Sequence, residues 1–360
     1  MFQASEKAGI LLALCGLLLI GATSLGFSTS QYAMNLIGQI AAFALLALSL
    51  DLLWGFCGIL SLGHGLFFAI GGYLVAMHLV KVTFDATGTQ PDFMLFMGWD
   101  SLPFYYFQLD SIAYLIVAIA AVTTVVSFVF GYVSFRSRVT GVYFAIITQA
   151  LVYMVMLYMF RNDSGFGGNN GMTGFKEIFG MPASGSTTAA FLCGGSLATL
   201  GLCLYGCKKL VDSPIGQFML AVREDESRLR FLGVNTVHIK LIAWCISAIL
   251  AAMAGFLYVP QVGIVNPTIL SPELSIEIAA WVALGGRGSL LGPILCAVVI
   301  SGLKFILTGL APDLWPFILA TLIICVVIWS PNGLADTSSH VASFYRRLGS
   351  LTSIKGRSQP

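Results

Sequence analysis

The sequence predicts an all-α fold: a polytopic helical membrane protein of about ten crossings, with two pseudo-repeated halves and a charged loop between them. Three observations carry this. Apolar residues make up 58% of the 360-residue chain and charged residues only 9%, against about 25% charged in a soluble domain. Apolar runs of about twenty residues, the length that crosses a bilayer, recur along it. And ten of the 34 charged residues (18 Lys and Arg, 16 Asp and Glu) crowd into residues 208–240, with long apolar runs on either side.

The elements follow in order. A first span at residues 8–26 reads as a retained helix, because no small-x-small cleavage site follows it. A second covers 35–54 and carries Asp51 near its end. A third, at 59–80, opens on the glycine-rich Ser61-Leu-Gly-His-Gly-Leu-Phe-Phe, with Gly71-Gly72 behind it. Glycine at that density permits close helix packing or a break in the helix. The loop at 81–110 has four Asp against one Lys. Spans at 111–133 and 142–160 flank a turn holding Arg136 and Arg138. A loop rich in Gly and Asn covers 161–182, where it either caps a pathway mouth or is plain connection. A sixth span runs over 188–207.

Beyond the charged loop lie a span at 241–262, a short run at 274–284 and two more spans ending near residues 310 and 329. Putting the N-terminus inside places Arg136, Arg138, the 208–240 loop and the basic tail (Arg346, Arg347, Lys355, Arg357) inside and the acidic loop outside. The tail reaches the inside only if 274–284 crosses. The domain division is therefore 1–34 (first helix and outer loop), 35–207 (first half), 208–240 (loop), 241–331 (second half) and 332–360 (tail). Gly58-Ile-Leu-Ser-Leu-Gly-His-Gly in the first half resembles Gly285-Gly-Arg-Gly-Ser-Leu-Leu-Gly in the second, and transporters often build sites from broken helices in matching repeats.

The 208–240 stretch reads as ordered structure. Ser213-Pro214 is a helix cap followed by proline at the first helical position. Asp225 caps a second short helix and Gly233 ends it in the left-handed conformation. Glu224 with Arg228, and Glu226 with Arg230, are acid-before-base pairs four apart. Such a surface suits docking of a soluble partner; an ordinary loop is the other reading.

Little else points to chemistry. A net charge of +2 without a basic block gives no footing for nucleic acid. The eight cysteines form no CxxC pair and sit in or beside apolar runs, as small core residues rather than disulfides or metal ligands. Gly201-Leu-Cys-Leu-Tyr-Gly206 opens like a phosphate loop but lacks the Gly-Lys-Ser/Thr that completes one. His64 either lines a pathway or bonds a neighbouring carbonyl. Asp51 is expected to reach water at its helix end. Glu277 either touches the pathway or pairs with Arg287, and Lys304 snorkels or pairs. The candidate pathway residues are Ser61, Gly63, His64, Gly65, Phe67, Phe68, Glu277, Gly285 and Gly286. The candidate coupling residues are Arg223, Glu224, Asp225, Glu226, Arg228, Arg230 and Gly233.

Three stretches carry a resemblance: Leu53-Trp-Gly-Phe-Cys-Gly-Ile-Leu-Ser-Leu-Gly-His-Gly-Leu-Phe-Phe-Ala-Ile-Gly-Gly-Tyr73; Ser213-Pro-Ile-Gly-Gln-Phe-Met-Leu-Ala-Val-Arg-Glu-Asp-Glu226 with Gly233-Val-Asn; and Trp281-Val-Ala-Leu-Gly-Gly-Arg-Gly-Ser-Leu-Leu-Gly-Pro293. In these, over roughly residues 35–335, the chain resembles the permease subunits of branched-chain amino acid and urea ABC importers. Trp54, Arg228-Leu-Arg-Phe-Leu-Gly233 and Ile276-Glu-Ile-Ala-Ala-Trp281 lean towards the urea permeases of the LivM-like branch. Ser227-Arg228 stands where many amino acid permeases of the group carry smaller residues.

The resemblance implies a subunit with no ATPase motif and no cofactor of its own, ATP being used by partners. Those partners would be a related second permease forming a heterodimer, two cytoplasmic ATP-binding subunits and a periplasmic solute-binding protein. It implies a multi-pass protein of the bacterial inner membrane, in contact with lipid, with both termini cytoplasmic. The segment 213–233 would dock on the ATPase, and urea would be the solute, with an amino acid as the alternative. Two rivals remain. A stand-alone carrier or channel would typically carry several intramembrane charges, and an intramembrane enzyme would need a catalytic pair on neighbouring helices.

Overall fold

The computed structural model describes residues 30–88, 90–99, 101–106 and 108–329. The expected span at 8–26 and the tail at 332–360 lie outside the described residues. The helices are α1 (Gln31–Cys57), α2 (His64–Thr87), the short α3 (Asp92–Met97), α4 (Ile112–Arg136), α5 (Val142–Met159), α6 (Ser186–Asp212), α7 (Pro214–Phe231), α8 (Thr236–Val262), α9 (Pro272–Gly285), α10 (Leu291–Leu310) and α11 (Trp315–Trp329). A two-residue hairpin, β1 (Glu177–Ile178) with β2 (Met181–Pro182), is the one sheet among the described residues. Among the described residues, seven helices, α1, α2, α4, α5, α6, α8 and α10, are long and apolar enough to cross a membrane.

Helices α1 and α8 form the centre. A helix apolar all round must be buried all round, and from Ala41 onward α1 largely is: Leu45, Leu46, Leu48, Leu50, Leu52 and Leu53 are all fully covered. It packs against α6, α8, α9 and α10, while α8 also takes α2 and α4. Small residues make these approaches close. A Cβ on Gly71 of α2 would lie 1.9 Å from the Ala252 carbonyl oxygen, and one on Gly255 of α8 would lie 1.8 Å from that of Phe68. Helices α4, α5 and α10 are peripheral. Their outer faces are apolar and exposed, with Val117, Val125 and Val129 on α4, Tyr143, Ile146 and Met154 on α5, and Leu295, Val299 and Ile306 on α10.

The bundle has two ends. At one lies α7 with the turn after α4: Val139, Thr140 and Gly141 line the same small cavity as Arg223, Glu226 and Lys240. At the other lies the loop at 160–185, which is pinned. Met172 and Val265 exchange backbone hydrogen bonds of 2.7 and 3.1 Å, and the Tyr105 and Tyr106 hydroxyls donate to the carbonyls of Ser164 and Gly165.

Several boundaries differ from the sequence expectation, each for a local reason. The span expected from residue 59 begins only at His64, because Gly58 at φ +75° ends α1 and 58–63 run non-helically. Within that break Ser61 Oγ accepts from Gly63 N, and Leu62 N donates to Thr148 Oγ1. Helix α6 continues past residue 207 to Asp212, since Lys208 pairs with Asp212 one turn on and Lys209 lies over the Tyr205 ring. With α8 starting at Thr236, the charged loop narrows to 213–235. The short run expected at 274–284 is the 14-residue α9. Its rise of about 21 Å is less than the roughly 30 Å of a bilayer core. It nevertheless runs from the pinned-loop end, where α8 finishes, to a glycine turn in contact with α1 and Arg223 at the α7 end.

Candidate functional site

Helix α7 is built as its residues dictate. Ser213 Oγ accepts from Gly216 N at 3.4 Å, and Pro214 opens the helix. Asp225 breaks it, with φ −157° and ψ 94°, and its Oδ1 accepts from Arg228 N at 3.0 Å to cap a second short helix. Gly233, at φ +82°, ends that one. Glu226 and Arg230 pair at 2.6 Å. The expected pairing of Glu224 with Arg228 does not form. The extended backbone at Asp225 breaks the four-residue register between them, so Glu224 pairs with Arg223 at 2.7 Å and Arg228 with Asp225 at 3.7 Å.

One face of α7 is buried through Met219, Val222 and Leu229. The opposite side exposes charge together with Phe218, Leu232 and Phe231, the last 91% exposed. Three large apolar side chains are thus left open among charges on this side. Glu226 ties this helix to the bundle, accepting from Thr236 Oγ1 at 2.9 Å and pairing with the buried Lys240 at 2.8 Å. Burial alone would raise the Glu226 carboxyl. Lys240, Thr236 and Arg230 outweigh it and hold the group below the ordinary glutamate value.

Arg223 reaches inward from α7. Its Nη1 donates to the Gly55 carbonyl oxygen at 2.6 Å. Gly55 in turn abuts the second glycine turn, 286–290: a Cβ there would lie 2.3 Å from Gly288 N. That turn is held by Asp51. Gly288 N donates to its Oδ1 at 2.7 Å and Leu290 N to its Oδ2 at 3.0 Å. Asp51 is completely buried, which corrects the expectation that it reaches water. A buried carboxylate needs donors, and the turn supplies two, with Leu290 drawn to φ +55°. Gly58, which opens the first glycine cluster, and Gly288 of the second both abut Arg223, a Cβ at each lying 2.9 and 3.4 Å from its side chain, so the two clusters read as a repeat meet beside one arginine.

Nearer the other end is a cavity of about 580 Å³ lined by residues of α1, α2, α8, α9, α10 and α11 and by the 264–271 connection. Its apolar wall includes Phe43, Phe68 and Tyr258, with ring centroids 4.8–6.1 Å apart. Its polar lining includes Asn266, Thr268, Glu273 and Thr308 as well as Glu277, whose Oε2 accepts from Lys304 Nζ at 2.7 Å. Glu277 therefore pairs with Lys304 and not with Arg287, whose guanidinium lies 5.1 Å from the Trp54 ring centroid.

Of the candidate pathway residues, Phe68 and Glu277 line this cavity; Ser61, Gly63, His64, Gly65, Phe67, Gly285 and Gly286 do not. His64 is buried and donates through Nε2 to Ser247 Oγ at 2.6 Å, which donates on to the Ser49 carbonyl at 2.5 Å. It therefore bridges α2, α8 and α1 through a serine, where a direct bond to a neighbouring carbonyl was the alternative. Gly285 packs against Gly292, where a Cβ would lie 2.3 Å from the Gly292 carbonyl carbon, and Gly286 turns the chain at φ +96°. Sequence reasoning did not place Asp51, Lys304, Phe43 or Tyr258 in a site. Their contacts span long separations, 237 and 239 residues for Asp51, and no local pattern signals them.

A buried helical core, apolar outer faces, a charged amphipathic helix at one end and a cavity near the other define a membrane transport component. Residues 32–327 match the family described as branched-chain amino acid transport system / permease component, and the chain belongs to it. It is 28% identical over 341 residues to the high-affinity branched-chain amino acid transport system permease protein LivM of Salmonella typhimurium, covering 88% of this chain and 73% of that protein. It is 23% identical over 303 residues to the corresponding permease protein BraD of Pseudomonas aeruginosa, covering 82% and 91%. Over a shorter stretch, 167 residues and 43% of this chain, it is 30% identical to the autoinducer 2 import system permease protein LsrC of Shigella flexneri, covering 48% of that protein. No solved structure matches the chain.

Proposed function

We propose that this chain forms one half of the membrane pore of an ATP-driven ABC importer, and that its solute is a branched-chain or similar aliphatic amino acid. The observation that carries the first part is the Arg223 link. It joins the exposed, partner-ready α7 directly to the end of the central helix and, through Gly55, to the 286–290 turn. A helix docked on an ATPase then has a mechanical path into the bundle. The second part is supported by the names of the relatives, LivM and BraD, and by the aromatic wall of the cavity.

In this reading the α7 end faces the cytoplasm of a bacterial cell, because Arg136, Arg138, Lys208, Lys209 and the α7 arginines gather there. Two ATP-binding subunits dock outside the membrane, one of them on α7, and ATP draws them together. The pull on α7 shifts Arg223, the end of α1 and the glycine turn. The pore formed with a related second permease then opens alternately to each side. A periplasmic binding protein delivers the solute at the other end. This chain needs no cofactor; ATP is consumed by its partners.

Urea is the second reading, favoured by Trp54, Arg228-Leu-Arg-Phe-Leu-Gly233 and the Ile276-Glu-Ile segment. A small neutral solute needs hydrogen bonds and a narrow path, which the glycine-lined segments could provide. Reconstitution into vesicles tests the subunit reading. Solute should accumulate only with both permeases, the ATPases, ATP and the binding protein together. Transport by the purified chain alone would contradict it.

A further inference from the structure

The Glu277–Lys304 pair has a feature that packing does not explain. Glu277 is 3% exposed, and Lys304 satisfies only its Oε2. The second oxygen, Oε1, is buried without any hydrogen-bond partner among the described residues. An unpaired carboxylate oxygen inside a protein is costly. Glu277 is one of the residues that line a cavity of about 580 Å³. Lys304 is itself half-buried on the same cavity, 5.7 Å from the Trp315 ring centroid. The site is therefore an ion pair with one free acceptor and a cation, set beside Glu273 in a wall that includes Phe43, Phe68 and Tyr258.

We infer that this pair is the polar subsite for an amphipathic zwitterion, an α-amino acid with an aliphatic side chain. Its ammonium bonds Glu277 Oε1, its carboxylate meets Lys304 Nζ, and its side chain lies on the aromatic wall. A zwitterion carries no net charge of its own, so its binding adds none to the membrane interior, where net charge is expensive. The ammonium and carboxylate of the ligand then meet complementary charges, and its side chain meets an apolar surface. A solute without an apolar part leaves the aromatic wall uncovered, so the site favours leucine-like molecules over urea. The inference rests on the amino acid import reading above, and narrows it to two residues.

The test is equilibrium binding of labelled leucine to the assembled permease pair with its ATPases in lipid nanodiscs, without binding protein. Competitors are leucine methyl ester, which keeps only the ammonium, 4-methylpentanoate, which keeps only the carboxylate, and urea. The wild type should bind leucine, with the ester and the acid each competing more weakly and urea weakest. Glu277→Gln should weaken leucine about tenfold or more and lose the competition by the ester. Lys304→Met should lose the competition by the acid. Single variants leave a buried charge unpaired and can misfold, so Glu277→Gln/Lys304→Met, which leaves none, is the second probe. It should assemble with its partners yet bind leucine as weakly as Glu277→Gln. Leucine binding unchanged in that double variant would overturn the subsite while leaving the import reading intact. Failure of the wild type to bind leucine while it binds urea would overturn both.

Discussion

Arg223 Nη1 donates to the Gly55 carbonyl oxygen at 2.6 Å, across 168 residues of sequence. That bond makes α7 part of the bundle as well as part of its surface. Arg223→Met should keep the exposed face of α7 and hence the partner ATPase, because Phe218, Phe231 and Leu232 are untouched. A charged donor to a carbonyl contributes about 1.5–3 kcal/mol, so solute uptake per bound ATPase should fall roughly tenfold. Co-purification of the ATPase, set beside uptake by the same cells, separates docking from transmission.

The exposed side of α7 should behave in the opposite way. Phe231→Asp with Leu232→Asp replaces two exposed apolar side chains and leaves Arg223 in place. ATPase co-purification should be lost while membrane insertion and thermal stability stay near wild type, since neither side chain is part of the core. Normal co-purification would remove α7 as the docking element.

Asp51 accepts two backbone donors, and asparagine can accept through one oxygen only. Asp51→Asn therefore leaves the Gly288 or Leu290 N–H unpaired inside the bundle. The cost should be about 1–3 kcal/mol, read as a lower unfolding temperature in detergent. Asp51→Ala should cost more, having no acceptor for either donor.

The α2–α8 crossing should tolerate nothing larger than hydrogen. Gly71→Val and Gly255→Val place carbon within 2 Å of a carbonyl oxygen, and expression of folded protein should collapse. Gly206→Ala on α6 is the contrast, since nothing lies within 4 Å of its added Cβ. It should fold as well as wild type.

Glu226 supplies a pH dependence. Its folded carboxyl is held below the ordinary value of 4.5, by Lys240, Thr236 and Arg230 against the opposing effect of burial. A depressed carboxyl contributes stability that is present above the unfolded value and is lost as pH falls through the folded one. Proteolysis near the exposed Phe231 should therefore stay slow at neutral and mildly acid pH and quicken only below 4.5. In Glu226→Gln it should already be fast at neutral pH.

What the sequence made legible was local. Ser213, Asp225 and Gly233 act through hydrogen bonds or backbone angles within a few residues, and each was readable as a cap or a stop. The long spans were readable because a twenty-residue apolar run has few other uses. Asp51 was misread because a carboxylate at a helix end usually finds water; its true partners arrive from a turn more than two hundred residues away. The Glu224–Arg228 pair failed for a related reason. Helical spacing presumes a continuous helix, and the cap at Asp225, itself foreseen, breaks it. Lys304 was anticipated as paired or snorkelling, but its place beside Glu277 depends on how α9 and α10 fold back at Gly285 and Gly292.

The most direct measurement is uptake of labelled leucine and labelled urea, at micromolar solute, in cells with and without this gene, with the partner genes intact and external urease absent. The account predicts that removing the gene abolishes leucine uptake and leaves urea uptake unchanged. Loss of urea uptake with leucine uptake intact would contradict it.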